Sequence, residues 1–277
     1  MQQYLIGIPA GADIADTGQQ QYMTNLPLIS CTCVTQNRPL LLIRALHCFN
    51  SQTYPHKELV VLCTPEDTAT HRTVTQFAQD TGSQVRLVLR KNSPGELLGA
   101  RRNAAVDHAG GDYICQWDDD DWYHPRRLSY QYGLLSASRH AACTLGRIVI
   151  MDATSGAACL SPFRPWENSL LCRKQVLQQA PFPNLARGED TPVVETLEKK
   201  GLLLTDRVSP PLYCYIFHGE NTCTRTHFQY FMDFGMQLPR SVREALLHTI
   251  SMRHTPEDIA RLDRLFETNI PLQDKRH

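Results

Sequence analysis

Short apolar runs alternate with stretches of helical periodicity through the N-terminal half of the chain. Leu28–Val34, Leu59–Leu62, Val85–Leu89 and Asp112–Trp117 read as buried strands, rich in β-branched residues and bounded by turn signals. Pro39 suits the first turn of a helix, and Leu42, Ala45, Leu46 and Phe49 follow on one face. Thr64-Pro65-Glu66-Asp67 opens a second helix, which runs to about Asp80. Leu97–Ala109 forms a third, with Gly110-Gly111 as its C-terminal cap. This β-α-β-α-β order predicts an α/β fold: a Rossmann-like, mostly parallel sheet flanked by helices. Such sheets bind ligands beyond the carboxyl ends of their strands. The loops Thr35–Arg38, Cys63–Asp67 and Asp118–Asp121 all open on that edge.

The last of these loops is unusual. Four aspartates, Asp118 to Asp121, follow the apolar run Tyr113-Ile114-Cys115. Two unit charges about 4 Å apart repel by roughly 4 kcal/mol at a protein surface, so the run demands a cation. Magnesium-like ions take carboxylate oxygen and share substrate phosphates, which points to a metal–diphosphate site. Asp118 and Asp120 project the same way if the chain stays extended. A solvated acidic loop or a helix cap is the ordinary account of an acidic run. The strand before it and Trp122-Tyr123-His124-Pro125 after it set this run apart.

Composition narrows the classes. Lysine plus arginine and aspartate plus glutamate are 28 each, and no basic stripe or tail is present, which excludes a nucleic-acid binder. No apolar run reaches the length of a membrane span, and the N-terminus lacks the pattern of a signal peptide. The 10 cysteines lie mostly within apolar segments without a C-x-x-C pair, so they read as reduced, buried small hydrophobes. The location expected is cytoplasmic, peripheral at the inner face of a membrane being compatible.

The second half is less regular. Arg126–Ser138 reads as a helix, Cys143–Met151 as one strand and Asp152–Gly156 as a turn. Ser161–Trp166 is too aromatic and Pro-rich for a regular element. Ser169–Cys172, Leu202–Leu204 and Leu212–Phe217 read as strands, with helices at Arg173–Gln179 and Thr191–Lys200. From Thr226 the pattern is helical, and Thr255-Pro256-Glu257-Asp258 is a strong helix start. This tail is expected to pack on the domain or to carry a homo-oligomer contact. The division expected is an arm at 1–25, a domain at 26–225 and a helical extension at 226–277. The domain would split into two halves, 26–121 and 122–225.

The segments ISCTCVTQNRP, QTYPHKELVVL, GARRNAAVDHAGGDYI, WDDDDWYHPRRL, RGED and YIFHGENT, in that order, resemble the family 2 glycosyltransferases of GT-A fold. The resemblance makes 26–121 the nucleotide-sugar half of the domain and 122–225 the acceptor half, and implies that Thr35, Gln36, Asn37 and Arg38 line the nucleotide pocket. It implies that Arg102 and Asn103 lie beside the diphosphate or base. Asp118-Asp119-Asp120 is similar to the D-x-D motif, with Asp118 on ribose and Asp120 on Mn²⁺ or Mg²⁺, Asp118 and His218 being further candidate ligands. Glu189-Asp190 is similar to the acidic pair near the acceptor, with Asp190 as catalytic base; the helix dipole alone would also favour acids there. Trp122, Trp166 and Glu167 are candidate acceptor contacts, although an aromatic in the place of Trp122 is more often a core plug. One departure stands out. The family's aspartate after the second strand is replaced by Cys63-Thr64, leaving Glu66 or Asp67 to stand in.

The function implied is a metal-dependent inverting transfer from a nucleotide-diphospho-sugar, a UDP-sugar above all. The acceptor would be a glycan, a lipid-linked glycan or a protein. Two rivals remain. A nucleotidyltransferase would need a Gly-rich, lysine-bearing phosphate loop, which VTQNRP lacks. A non-catalytic relative would not need Asp118, Asp120 and Asp190 intact.

Overall fold

The computed structural model describes residues 26–208, 211–251 and 254–270. The expected arm at 1–25 lies outside them. The alternation in the N-terminal half folds as its periodicity predicts. β1 (Ile29–Val34), β2 (Lys57–Cys63), β3 (Val85–Leu89) and β4 (Tyr113–Gln116) pair in parallel, in the spatial order β4-β1-β2-β3. Three helices connect them: α1 (Pro39–Asn50), α2 (Thr68–Thr81) and α3 (Leu98–His108). Leu42, Ala45, Leu46 and Phe49 of α1 are all buried, as the spacing requires. α3 ends at Ala109 in extended backbone rather than in a left-handed glycine cap. Gly110 and Gly111 instead anchor the chain, donating to the side chains of Glu58 and Ser30 on the neighbouring strands.

The second half departs further from expectation. The run 143–151 is two strands, β6 (Ala142–Leu145) and β7 (Val149–Asp152), which belong to different sheets. The break falls at Gly146, where an added Cβ would sit 2.1 Å from the Asp206 carbonyl oxygen. β9 (Leu171–Arg173) joins β4 and β6 antiparallel, and β10 (Leu203–Asp206) closes a seven-stranded sheet. A second, five-stranded sheet contains β5 (Trp122–Tyr123), β7, β8 (Ala157–Leu160), β11 (Tyr213–Phe217) and β12 (Met236–Gln237). The remaining helices are α4 (Arg127–Ser136), α5 (Lys174–Gln179), α6 (Thr191–Lys199), α7 (Arg225–Phe234), α8 (Arg240–Ser251) and α9 (Pro256–Asn269).

The C-terminal helices are packing elements. Leu262 and Phe266 of α9 and Val242 and Leu246 of α8 are buried in the same core as the strands. Asp263 ties α9 to the segment between β5 and α4, pairing with His124 at 3.3 Å and Arg126 at 2.8 Å. Nine of the ten cysteines are buried, and all ten are free thiols. Among the described residues no helix is long and apolar enough to cross a membrane.

Candidate active site

The four aspartates do not stay extended. The chain turns at Asp119-Asp120, and each carboxylate meets different partners. Asp118 pairs with Arg102 at 2.8 Å. Asp119 accepts from the Thr35 hydroxyl at 2.5 Å, with Arg38 3.6 Å away. Asp120 faces Arg38 and His218, both at 3.2 Å, and Asn221 at 3.5 Å. Asp121 is fully buried and turned inward, accepting from the Tyr213 hydroxyl and from the Ile216 amide at 2.9 Å. Arg44 donates to the Asp120 and Asp121 carbonyls. Arginines thus meet part of the cation demand that charge repulsion implies.

A buried post holds this turn. Arg127 is fully buried against the rings of Trp117, Tyr123 and Tyr213, 4.7 Å from the Tyr123 centroid. The Tyr123 hydroxyl accepts from the Asp118 amide at 2.6 Å and donates to the Asp118 carbonyl at 3.0 Å. Burial, then Asp120 beside it, pushes Asp119 up to about 7. Burial likewise raises Asp121 well above the carboxylate range, with Asp120 and Asp118 adding to it.

Arg102 joins this turn to the second acidic pair. Its Nε donates to Glu189 at 2.6 Å while its Nη2 holds Asp118. Burial alone would lower its guanidinium; Asp118 and Glu189 override that and hold it well above its ordinary value. The close approach needs Gly99, since a Cβ there would lie 1.8 Å from the Pro183 carbonyl oxygen and 3.2 Å from Glu189 Cβ. Glu189 is consumed by this ion pair. Asp190 is half-buried and faces the cleft; burial pushes it up to about 6, with Arg102 opposing and Glu189, Glu167 and Asp118 adding.

Asp118, Asp119, Asp120, Arg102, Glu189 and Asp190 line one cleft of about 250 Å³, together with Arg38, Arg164, Trp166, Glu167, Tyr215 and Phe231. A second cleft of about 260 Å³ adjoins it through Arg38 and Asp119 and is lined by Thr35, Gln36, Glu96 and Arg101. Arg101 is buried with its Nη2 unpartnered. Several residues named from the sequence lie elsewhere. Asn103 grips the Phe182 backbone, donating to its carbonyl at 2.8 Å and accepting from its amide at 3.0 Å. Gln36 lines the second cleft, but its amide is held by Thr64. The Asn37 amide donates to Asp67, which caps α2. Cys63 is buried at the end of β2, Glu66 is exposed, and neither lines a cleft. Trp122 is buried among His124 and His254, a core plug rather than a cleft wall.

Sequence reading missed Arg164, His227 and Phe231, which come from an irregular loop and from α7. Arg164 lies over the Trp166 and Phe231 rings and pairs with Glu167. No motif marks them; adjacency of the aromatic loop to RGED exists only in the fold.

A metal-free test of fit comes from Asp120 and His218. Their facing atoms, Oδ2 and Nε2, are 3.2 Å apart. Neighbouring ligands of an octahedral ion with bonds of about 2.1 Å stand roughly 3 Å apart. The pair fits two positions of such an ion. Among the described residues no group of three or more His, Cys, Asp or Glu is placed to hold one.

A family model described as Glycosyl transferase family 2 matches residues 30–179. The chain belongs to that family. EpsE of Bacillus subtilis (strain 168), assigned as a glycosyltransferase, is 30% identical over 118 residues, 43% of this chain and 42% of EpsE. WcaA of Escherichia coli (strain K12), assigned to colanic acid biosynthesis, is 35% identical over 107 residues, 39% of this chain and 37% of WcaA. The match thus spans less than half the length of either relative. Two solved structures share the GT-A fold with this family 2 chain. A mannosyltransferase, PcManGT from Pyrobaculum calidifontis, in complex with GDP-Man and Mn²⁺, superposes with TM-score 0.56 at 16% identity, covering 88% of this chain and 70% of that one. TarS 1–349 of S. aureus, in complex with UDP-GlcNAc, gives 0.53 at 13% identity, covering 87% and 80%.

Proposed function

We propose that this chain is an inverting glycosyltransferase that moves a sugar from a nucleotide-diphospho-sugar to an acceptor hydroxyl, with Mn²⁺ or Mg²⁺ as cofactor. The observation that carries this reading is the shared cleft. Asp118–Asp120 at the end of β4 and Asp190 at the start of α6 line the same space, with Arg102 between them. Relatives bind both uridine and guanosine donors by name, and a UDP-sugar is the donor proposed here. The colanic acid assignment of WcaA and the amylovoran assignment of AmsB from Erwinia amylovora support a polysaccharide or its lipid-linked precursor as acceptor.

The residues divide the chemistry. The nucleoside lies across the second cleft, against Thr35 and Arg101, with ribose toward Asp118. Arg38 is placed beside the diphosphate, where its charge offsets that of the phosphates. Asp120 and His218 would hold the divalent ion, whose chemistry when bound is to neutralise the departing diphosphate. Asp190 is ionised at neutral pH and takes the proton of the acceptor hydroxyl as it attacks. One base and one displacement give inversion at the anomeric carbon. Trp166 and Glu167 wall the acceptor side.

The test is donor hydrolysis. The protein is incubated with Mn²⁺ and a panel of nucleotide sugars, and released nucleoside diphosphate is measured. Release from one donor class supports the reading. Absence of release with every donor, with no shift in melting temperature, overturns it. Binding without release indicates a non-catalytic relative.

A further inference from the structure

Gln116 is the last residue of β4 and is buried. Ile114, two residues earlier on the same face, packs in one apolar cluster with Ala104, Ala105, Val193 and Val194 of α3 and α6. Gln116 therefore points at the start of α6. Its Nε2 donates to Asp190 Oδ2 at 3.4 Å. Its Oε1 is buried with no partner. The stem is fixed: the Gln116 amide donates to the Leu170 carbonyl at 3.0 Å, and its carbonyl accepts from Arg127 at 3.2 Å. The carboxamide is thus rigidly mounted, yet among the described residues its one partner is Asp190.

A buried amide oxygen left without a donor is destabilising, and leucine at this position would avoid that cost. We propose that Gln116 is a positioning residue for Asp190, turning its carboxamide to donate to the ionised carboxylate and to accept from the protonated one. This rests on the reading of Asp190 as the base. In transfer, the proton leaves the acceptor oxygen and joins an Asp190 oxygen. The new O–H then needs an acceptor. A half-turn of the amide brings Oε1 to it, exchanging the Nε2–Asp190 bond for one from the new O–H, and breaks no other bond because Oε1 holds none. Asp190 stays aimed in both states.

The charged and titratable groups around Asp190 do not duplicate this role. Arg102 from α3 favours its ionised form, while Glu189, Glu167 and Asp118 oppose it. Cys223, with Arg187 beside it, approaches from beyond β11. Gln116 is neutral, so Gln116→Leu removes a donor without altering net charge.

The test compares the pH–rate profiles of wild type, Gln116→Leu, Gln116→Glu and Asp190→Asn, with melting temperatures alongside. Gln116→Leu joins the Ile114 cluster and is expected to melt at or above wild type. Its kcat should fall roughly tenfold with donor KM unchanged, and its acidic limb should move up by about one pH unit, because the bond to the ionised carboxylate is the stronger of the two that are lost. Gln116→Glu, nearly isosteric, should move the limb further, because a second carboxyl then competes for the same proton. It also serves as the test if the leucine variant does not fold. An unshifted limb in these variants, with a lower melting temperature, makes Gln116 a structural strut and overturns the proposal. If Asp190→Asn transfers at the wild-type rate, the base assignment itself fails. An inactive Asp190→Asn with an unshifted Gln116→Leu sinks the positioning role alone.

Discussion

On one side of the two adjoining clefts, Thr35, Arg38 and Asp118–Asp120 leave the carboxyl ends of two adjacent parallel strands, β1 and β4. On the other side, Arg164, Trp166 and Glu167 come from a loop and its 3-10 turn, Asp190 from a loop end, and His227 and Phe231 from α7. The first wall follows from strand order, because parallel strands deliver their ends to one edge. The second is gathered from segments distant in the chain. Carboxylates on the first wall are crowded and held by arginine, hydroxyl and imidazole groups. Among the described residues, Asp190 on the other wall has one side-chain hydrogen bond, from a neutral amide. Arg102 is the joint between the walls.

Breaking the joint should have the largest effect. Arg102→Ala leaves Asp118 and Glu189 facing each other unpaired, and urea unfolding should show a loss of about 3–5 kcal/mol. Retained stability would mean that the two walls stand independently. Asp120→Ala should abolish Mn²⁺-dependent nucleotide binding and cut transfer by roughly 10³-fold. Unchanged UDP affinity in Mn²⁺ would remove Asp120 from the ligand set. Asp190→Asn should leave donor binding near normal and lose transfer by roughly 10²-fold or more, which separates the walls by KM against kcat. The smallest effect is graded by pH. Asp190 is raised to about 6 and must be ionised to act, so transfer should be level above that value and decline as pH falls through it. A profile flat through that region would place the base elsewhere.

Legibility followed the same division. β1 to β4 and α1 to α3 were readable because period and turn residues are local properties. The acidic run was readable because carboxylates crowded at a strand end carry a recognisable charge pattern, whereas RGED stood out only through the family resemblance, a helix start alone being account enough for its acids. The hold of Asn103 on the Phe182 backbone was not legible, because an asparagine on a helix can serve any neighbour. The run 143–151 looked like one strand because hydrophobicity does not reveal which sheet a residue joins; the clash at Gly146 does. Gln116 carried a faint signal, a polar residue in an apolar strand, but its partner lies 74 positions away.

By itself the sequence determined the parallel α/β core, the edge on which a ligand sits, and the crowding of acid there. Those depend on periodicity and on residues adjacent in the chain. Only the tertiary structure decided the job of each aspartate. Asp118 belongs to Arg102, Asp119 to Thr35, Asp120 to His218 and Arg38, and Asp121 to the core. Four identical side chains in a row differ only in what reaches them, and what reaches them comes from α1, α3, β11 and the loops beyond β1 and β11.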